Sequence, residues 1–420
     1  MLVPELVDRF PLHDFERYHR RELPGLLRGG RGALAAADEA PLGGLAFRVP
    51  GSGAFGYRRG SDGIEIFEGE AAAETVVELD APTWSGLVHD LESAPGLLYS
   101  GRCKVVRGDP MRFVRWEPRL RALYHGRPFY DPACAGLCEP DGTPLDPRER
   151  FALPPTASTP SQARDGARRR MAWFLRTAGY LVVRDVFSHD EVAALHAEAE
   201  ALRRAAREGD RQSWWARDAR GRPLLARVIN AGTRAPLAAL YRDERILDLV
   251  SLSEHDLVGR SADEVEAVSV LWKHPMAREG LADLPWHRDC GMGGHALMCP
   301  ILIVTINLRA GNARSGQLRM LPGSQHAAVP FFEADDPRAP AGVGLDVDAG
   351  DVSLHYGDVM HAAPPPRGEG PCRESLLLAF TRRGEPGHHR GEGAYNDVLL
   401  GREDGQVEHL AAVARRHRHE

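Results

Sequence analysis

The sequence predicts a mixed α+β protein: a C-terminal double-stranded β-helix, or jelly roll, with flanking helices, preceded by a smaller α+β module. Three observations carry this. From about Val265 to Thr381 the chain reads as short strands and loops. The first 140 residues give strand-like runs followed by helical periodicity. Between them lies a stretch rich in Pro, Thr and Ser with little apolar periodicity. At 420 residues the chain has room for two domains. The expected divisions are 1–140 for the first module, 141–167 for a linker, 168–395 for the jelly roll and 396–420 for a C-terminal helix and tail.

In the first module Leu45 to Val49, Gly53 to Arg58, Gly63 to Phe67 and Thr75 to Leu79 read as strands, punctuated by Gly and Asp as hairpins require. Asp80-Ala81-Pro82 opens a helix with Trp84, Leu87, Val88 and Leu91 on one face. Arg102 to Val106 forms a further strand, and Asp109-Pro110 starts the next helix as N-cap and first helical residue. In the second module an apolar run from Gly179 to Val183 precedes Ser188-His189-Asp190-Glu191, a capping box. Its helix is apolar at Val192, Leu195 and Leu202 and charged behind, so it packs on a sheet. Leu321-Pro322-Gly323-Ser324 is a strong turn. Leu410 and Ala414, with Val407, have helical spacing near the C-terminus.

Composition narrows the function classes. With 43% hydrophobic and 27% charged residues and no long apolar run, a soluble protein without a membrane span is expected. A net charge of -6 offers no pull toward nucleic acid, and Arg168-Arg169-Arg170 reads as a solvated helix start. The first residues lack a signal-peptide layout, and six Cys are too few for a disulfide framework; both point to a cytoplasmic protein. Cys134 and Cys138 lack the second pair a zinc finger needs.

Pro285-Trp286-His287-Arg288-Asp289 carries the chemistry. On a strand, residues i and i+2 share a face, so His287 and Asp289 could grip one metal ion. A third ligand is offered by the run from Gly350 to His361, at His355 or His361, with His295 a more remote candidate. Two imidazoles and a carboxylate with open positions suit a non-haem Fe(II) oxygenase.

Four segments in order resemble the phytanoyl-CoA dioxygenase family of Fe(II)- and 2-oxoglutarate-dependent oxygenases, across about Met171 to Arg390. They are Gly179 to Val186 with its capped helix, Trp286-His287-Arg288-Asp289, Gly316 to His326, and Gly350-Asp351 followed by His361. The resemblance implies His287, Asp289 and His361 as iron ligands. It also implies Arg373, twelve residues beyond His361, as the clamp for the far carboxylate of 2-oxoglutarate, through paired hydrogen bonds that Lys cannot make. Ser375, on the same strand face, could add a bond; Lys273 and Thr305 are further cosubstrate candidates, and Arg367 is a rival to Arg373.

The implied reaction consumes O2 and 2-oxoglutarate, releases succinate and CO2, and hydroxylates an unactivated C–H bond; desaturation, epimerisation or ring formation would use the same constellation. Asp289 argues against a halogenase, which needs that position open for chloride. The competing readings are a jelly-roll metalloprotein with hydrolase or isomerase chemistry, and an inactive lipid-binding carrier.

Residues 30 to 130 resemble the sterol-carrier-protein-like lipid-binding fold, on the strand meander, the helix after Asp80, Gly101 to Asp109 and the closing helix. That implies a tunnel for a lipid-like group, and with it a small hydrophobic or carrier-linked substrate. On the other reading Trp84, Leu87, Leu91, Phe113 and Trp116 simply fill a core. Trp214 and Trp215 could line a substrate pocket or anchor a loop, and Arg217, Arg220, Arg222 and Arg227 could meet an anionic group or be solvated charge.

Overall fold

Apolar runs broken by Gly and Asp fold, in the first module, into five strands: β1 (Leu45–Val49), β2 (Gly53–Arg59), β3 (Ile64–Glu68), β4 (Thr75–Glu78) and β5 (Lys104–Arg107). This is seen in a computed structural model that describes residues 10–416 except 39, 135, 154–160, 261–266, 281–283, 290–300, 333–335, 368–369, 371 and 383–409. His295, Val407 and Pro154 to Pro160 of the expected linker lie outside the described residues.

The sheet order is β3-β2-β1-β4-β5. The first three strands form the expected antiparallel meander, but β4 runs parallel to β1. Helix α1 (Ala81–Val88) is capped by Asp80, whose side chain accepts from Thr83 N at 2.8 Å; α2 (Ala94–Ser100) and α3 (Pro110–His125) follow, the latter capped by Asp109. Trp84, Leu87, Phe113 and Trp116 are buried in one core, Leu91 is buried too, and the residues from Phe15 to Ala35 add a run of short helical turns.

The second module holds two sheets. Its elements are β6 (Phe151–Ala152), α4 (Ser161–Ala178), β7 (Tyr180–Arg184), α5 (His189–Ala205), β8 (Ser213–Asp218), β9 (Pro223–Val228), α6 (Glu244–Ser251), β10 (Leu257–Gly259), β11 (Val268–Lys273), β12 (Ala277–Glu279), β13 (Leu284–His287), β14 (Leu302–Asn307), β15 (Arg319–Met320), β16 (Val343–Gly344), β17 (Val352–Tyr356), β18 (His361–Ala363) and β19 (Arg373–Arg382). The large sheet runs β12-β8-β9-β11-β19-β14-β17-β7-β6, with β10 also on β19; the small one runs β13-β18-β15-β16. Ser188 and Glu191 make the full capping box on α5.

Strand alternation sorts the large sheet's faces. Val268, Val270, Trp272, Leu302, Val304, Ile306, Val352, Leu354, Leu376, Leu378 and Phe380 form one core with Phe174 and Leu175 of α4 and Val192 and Leu195 of α5. The opposite face carries Lys273, Thr305, His355, Arg373 and Ser375. It looks toward the small sheet, because Lys273 Nζ donates to Ala363 O on β18 at 2.5 Å. The jelly roll is thus oily outside, under its helices, and polar within.

The structure sharpens three expectations. The linker is partly structured: Phe151–Ala152 joins β7 in parallel, and α4 already starts at Ser161. Trp214 and Trp215 do not lie in a loop. They sit on strand β8, with Arg227 over the Trp214 ring at 4.8 Å and Trp215 Nε1 donating to Ser213 Oγ. The C-terminal helix α7 (Leu410–Arg416) packs Leu410 and Ala414 into the core of the first module. No helix among the described residues is long and apolar enough to cross a membrane.

Candidate metal and carboxylate site

Strands β13 and β18 pair antiparallel with His287 opposite His361, which brings the two rings to 4.2 Å between centroids. Directly opposed residues share a face, so both imidazoles point the same way. The strand ends at His287, and Asp289 follows just beyond it. Its Oδ1 lies 3.6 Å from His287 Nε2 and 3.5 Å from His361 Nε2. His287, Asp289 and His361 are thereby gathered closely enough to hold one metal ion.

The backbone sets the ring chemistry. His287 Nδ1 donates to Pro285 O at 2.8 Å and His361 Nδ1 to Val359 O at 3.0 Å. With the proton on Nδ1, each ring presents a bare Nε2 lone pair, the form a metal ligand takes. Burial, with the nearby His361, lowers the His287 pKa and favours the neutral ring, against the opposing pull of Asp289. Burial would raise Asp289, but the imidazoles of His361, His287 and His355 beside it hold its carboxyl well below the usual range. Its side chain remains 36% exposed, as a position reached from a cleft must be.

The central turn braces this group. Arg288, between the two ligand candidates, points the other way and is 5% exposed. Its Nη2 donates to Ser324 O and Ala327 O at 3.0 and 2.8 Å. Ser324 Oγ accepts from Met360 N at 2.8 Å, so one turn fixes the neighbours of both His287 and His361. Gly323 takes φ 78° at that turn, which favours glycine. Gly350 has φ +94°, and a Cβ there would meet Phe187 O at 2.3 Å. The adjoining Asp351 accepts from Asp185 N and Asp348 N, a structural role.

Arg373 is 7% exposed, and its Nε has no hydrogen-bond partner. Among the described residues no carboxylate pairs with it, and burial pushes its pKa down to about 10. It stands opposite Lys273, whose ammonium is tied to Ala363 O, two residues past His361. Ser375 is buried on the same face, and Thr305 is buried opposite Leu377, also on that face. Glu374, on the reverse face, is different: His196 Nδ1 at 3.0 Å and Arg309 Nε at 3.3 Å already engage it. His196, Glu200 and Glu374 form a second group with metal-ligand spacing, which sequence reading missed because two elements supply it, but Arg309 already supplies its counter-charge. The arginines of β8, β9 and the turn between them include Arg217 paired with Glu208, Arg222 with Asp218 and Arg227 bonded to Ser269.

Comparison with known families finds a match to the phytanoyl-CoA dioxygenase (PhyH) model over residues 175–374, so the chain carries a domain of that family; the match is narrower than the 171–390 expected. No curated protein matches the chain. Solved structures similar to it include AviO1 from Streptomyces viridochromogenes Tue57, at 23% identity over 53% of this chain and 97% of that one, with a TM-score of 0.42. HygX from Streptomyces hygroscopicus, with nickel, 2-oxoglutarate and hygromycin B bound, has 19% identity over 54% and 95%, TM-score 0.40. EctD from S. alaskensis, with bound Fe, has 21% identity over 60% and 91%, TM-score 0.41.

Proposed function

We propose that the chain is an Fe(II)- and 2-oxoglutarate-dependent oxygenase that hydroxylates an unactivated C–H bond of a small organic substrate, hydrophobic or carrier-linked. The observation that carries it is the buried Arg373 guanidinium, without a carboxylate partner among the described residues, on the same interior face that receives His287, Asp289 and His361. A buried unpaired cation is costly to keep, and an anionic ligand answers that cost.

The donor set fits the group. Two neutral imidazoles and one carboxylate suit Fe(II), and the set leaves further positions open. When bound, iron and 2-oxoglutarate supply the oxidising chemistry: RH, 2-oxoglutarate and O2 give ROH, succinate and CO2. The chain's own share is binding and orientation. His287 and His361 offer Nε2, held by Pro285 O and Val359 O. Asp289 offers Oδ1. Arg373 pairs with the far carboxylate, with Ser375 and Thr305 along the same face. Lys273, at the end of β11 opposite Arg373, ties the large sheet to β18 through Ala363 O.

The test is succinate formation from 2-oxoglutarate by the full chain with Fe(II) and O2. The reading expects it in the parent and not in His361→Ala or Arg373→Ala. Metal uptake without any 2-oxoglutarate binding would instead favour hydrolase or isomerase chemistry, and no metal uptake an inactive carrier.

A further inference from the structure

The two oxygens of Asp289 face different partners. Oδ1 is the one near His287 Nε2 and His361 Nε2. Oδ2 lies 3.3 Å from Nε2 of a third histidine, His355, on β17 of the opposite sheet. His355 is 3% exposed, and its ring centroid is 4.6 Å from that of His361.

Its protonation pattern is the reverse of theirs. A carboxylate only accepts hydrogen bonds, so the nitrogen facing Oδ2 carries the proton. His355 Nδ1 is buried and has no hydrogen-bond partner, which suits a bare nitrogen in a neutral ring. His287 and His361 protonate Nδ1 and bare Nε2; His355 protonates Nε2. It therefore presents to the site a donor, not a lone pair.

We propose that His355 is a positioning residue that keeps Asp289 monodentate. With Oδ2 held by the His355 N–H, only Oδ1 is free to bind a metal. An octahedral ion held by three protein atoms keeps three positions: two for a chelating 2-oxo acid and one for O2. A carboxylate free to turn could chelate through both oxygens and take one of these. This rests on the oxygenase reading above and adds to it the residue that preserves the cosubstrate's second position.

The experiment measures Fe(II) affinity and 2-oxoglutarate affinity separately, under anaerobic conditions, in the full chain. His355→Leu removes the donor; His355→Gln keeps an amide N–H near the place of Nε2. In His355→Leu, 2-oxoglutarate is expected to bind at least ~10-fold more weakly, the size of one lost charge-assisted hydrogen bond. Its visible charge-transfer band should shift, while Fe(II) affinity stays within about threefold. His355→Gln should restore both readouts. If His355→Leu does not fold, His355→Phe, which keeps a ring without the N–H, replaces it. Parental 2-oxoglutarate affinity in the donorless variant would overturn the role. So would loss of Fe(II) itself, which would make His355 a ligand, or a His355→Gln as defective as His355→Leu. A parent chain that binds Fe(II) but no 2-oxoglutarate would instead overturn the oxygenase reading.

Discussion

Each half of the molecule buries a cluster of polar rings, and the two clusters end differently. In the first module His19 Nδ1 donates to Phe15 O at 2.7 Å, His19 Nε2 accepts from Tyr57 at 2.5 Å, and Tyr57 meets Tyr124 at 2.9 Å. The chain of bonds closes on a backbone carbonyl, and His19 stacks on Phe55 at 4.4 Å. In the jelly roll, His287 and His361 spend Nδ1 on carbonyls and turn bare Nε2 atoms toward one carboxylate oxygen, while Arg373 is buried without a carboxylate partner among the described residues. Both places are built around buried histidine. Where polar atoms use one another up, the cluster is structure; where they converge and stay available, it is a site.

The contrast breaks if substitutions in the two clusters have the same consequences. The largest effect is expected at the ligand candidates. His287→Ala and His361→Ala should each lower Fe(II) affinity by more than ~100-fold, beyond what loss of an outer partner costs, as read by iron content after desalting. Next is Arg373→Ala, which should retain iron but weaken 2-oxoglutarate by roughly 30-fold or more, the effect of truncating one partner of a buried charge pair. Arg373→Lys should not restore it, because an ammonium cannot make the paired bonds. Without cosubstrate, the melting temperature of Arg373→Ala should not fall, since an unpaired buried cation has been removed.

Smaller effects belong to the first module and should touch stability alone. Burial pushes the His19 pKa down to about 4, against a hydrogen bond to Phe15 O that raises it; the ordinary value is 6.5. The unfolded chain then binds more protons between these values. The stability contributed is full above pH 6.5 and is lost as pH falls toward 4. The loss is on the order of 3 kcal/mol for such a shift. Denaturant midpoints between pH 7 and 4.5 should fall less steeply in His19→Leu than in the parent, with the slope of His125, also near 4, remaining. The smallest effect is Ser188→Ala in the α5 capping box, about 1 kcal/mol by denaturant melt with 2-oxoglutarate affinity unchanged.

Sequence pattern carried most of the jelly roll and the core of the site. The Leu321 to Ser324 turn and the caps at Asp80, Asp109 and Ser188 rest on local chemistry and form where they are expected, whereas Asp289, expected on the strand face of His287, lies just past the strand's end. What escaped depends on distant partners. Arg288 reads as a solvent-facing charge between two ligands; its burial is fixed by carbonyls 36 and 39 residues away. The turns from Phe15 to Ala35 contain Pro24, Gly25, Gly29, Gly30 and Gly32, which propensity takes for breakers until packing on the module's core overrides it. The parallel pairing of β4 with β1 and the docking of α7 on the first module leave no mark in local spacing. His355 is a rival ligand because it lies on the same run six residues before His361, while its apolar alternation points instead to a packed residue or a partner of the ligands; the contact of its Nε2 with Asp289 Oδ2 agrees with the second.

The central claim is tested most directly by anaerobic titration of the Fe(II)-loaded chain with 2-oxoglutarate, following visible charge-transfer absorption. The account predicts a saturable band in the parent that is absent from His361→Ala and needs far more 2-oxoglutarate in Arg373→Ala. A parent that binds Fe(II) and shows no band at any 2-oxoglutarate concentration, or an Arg373→Ala that titrates like the parent, would contradict it.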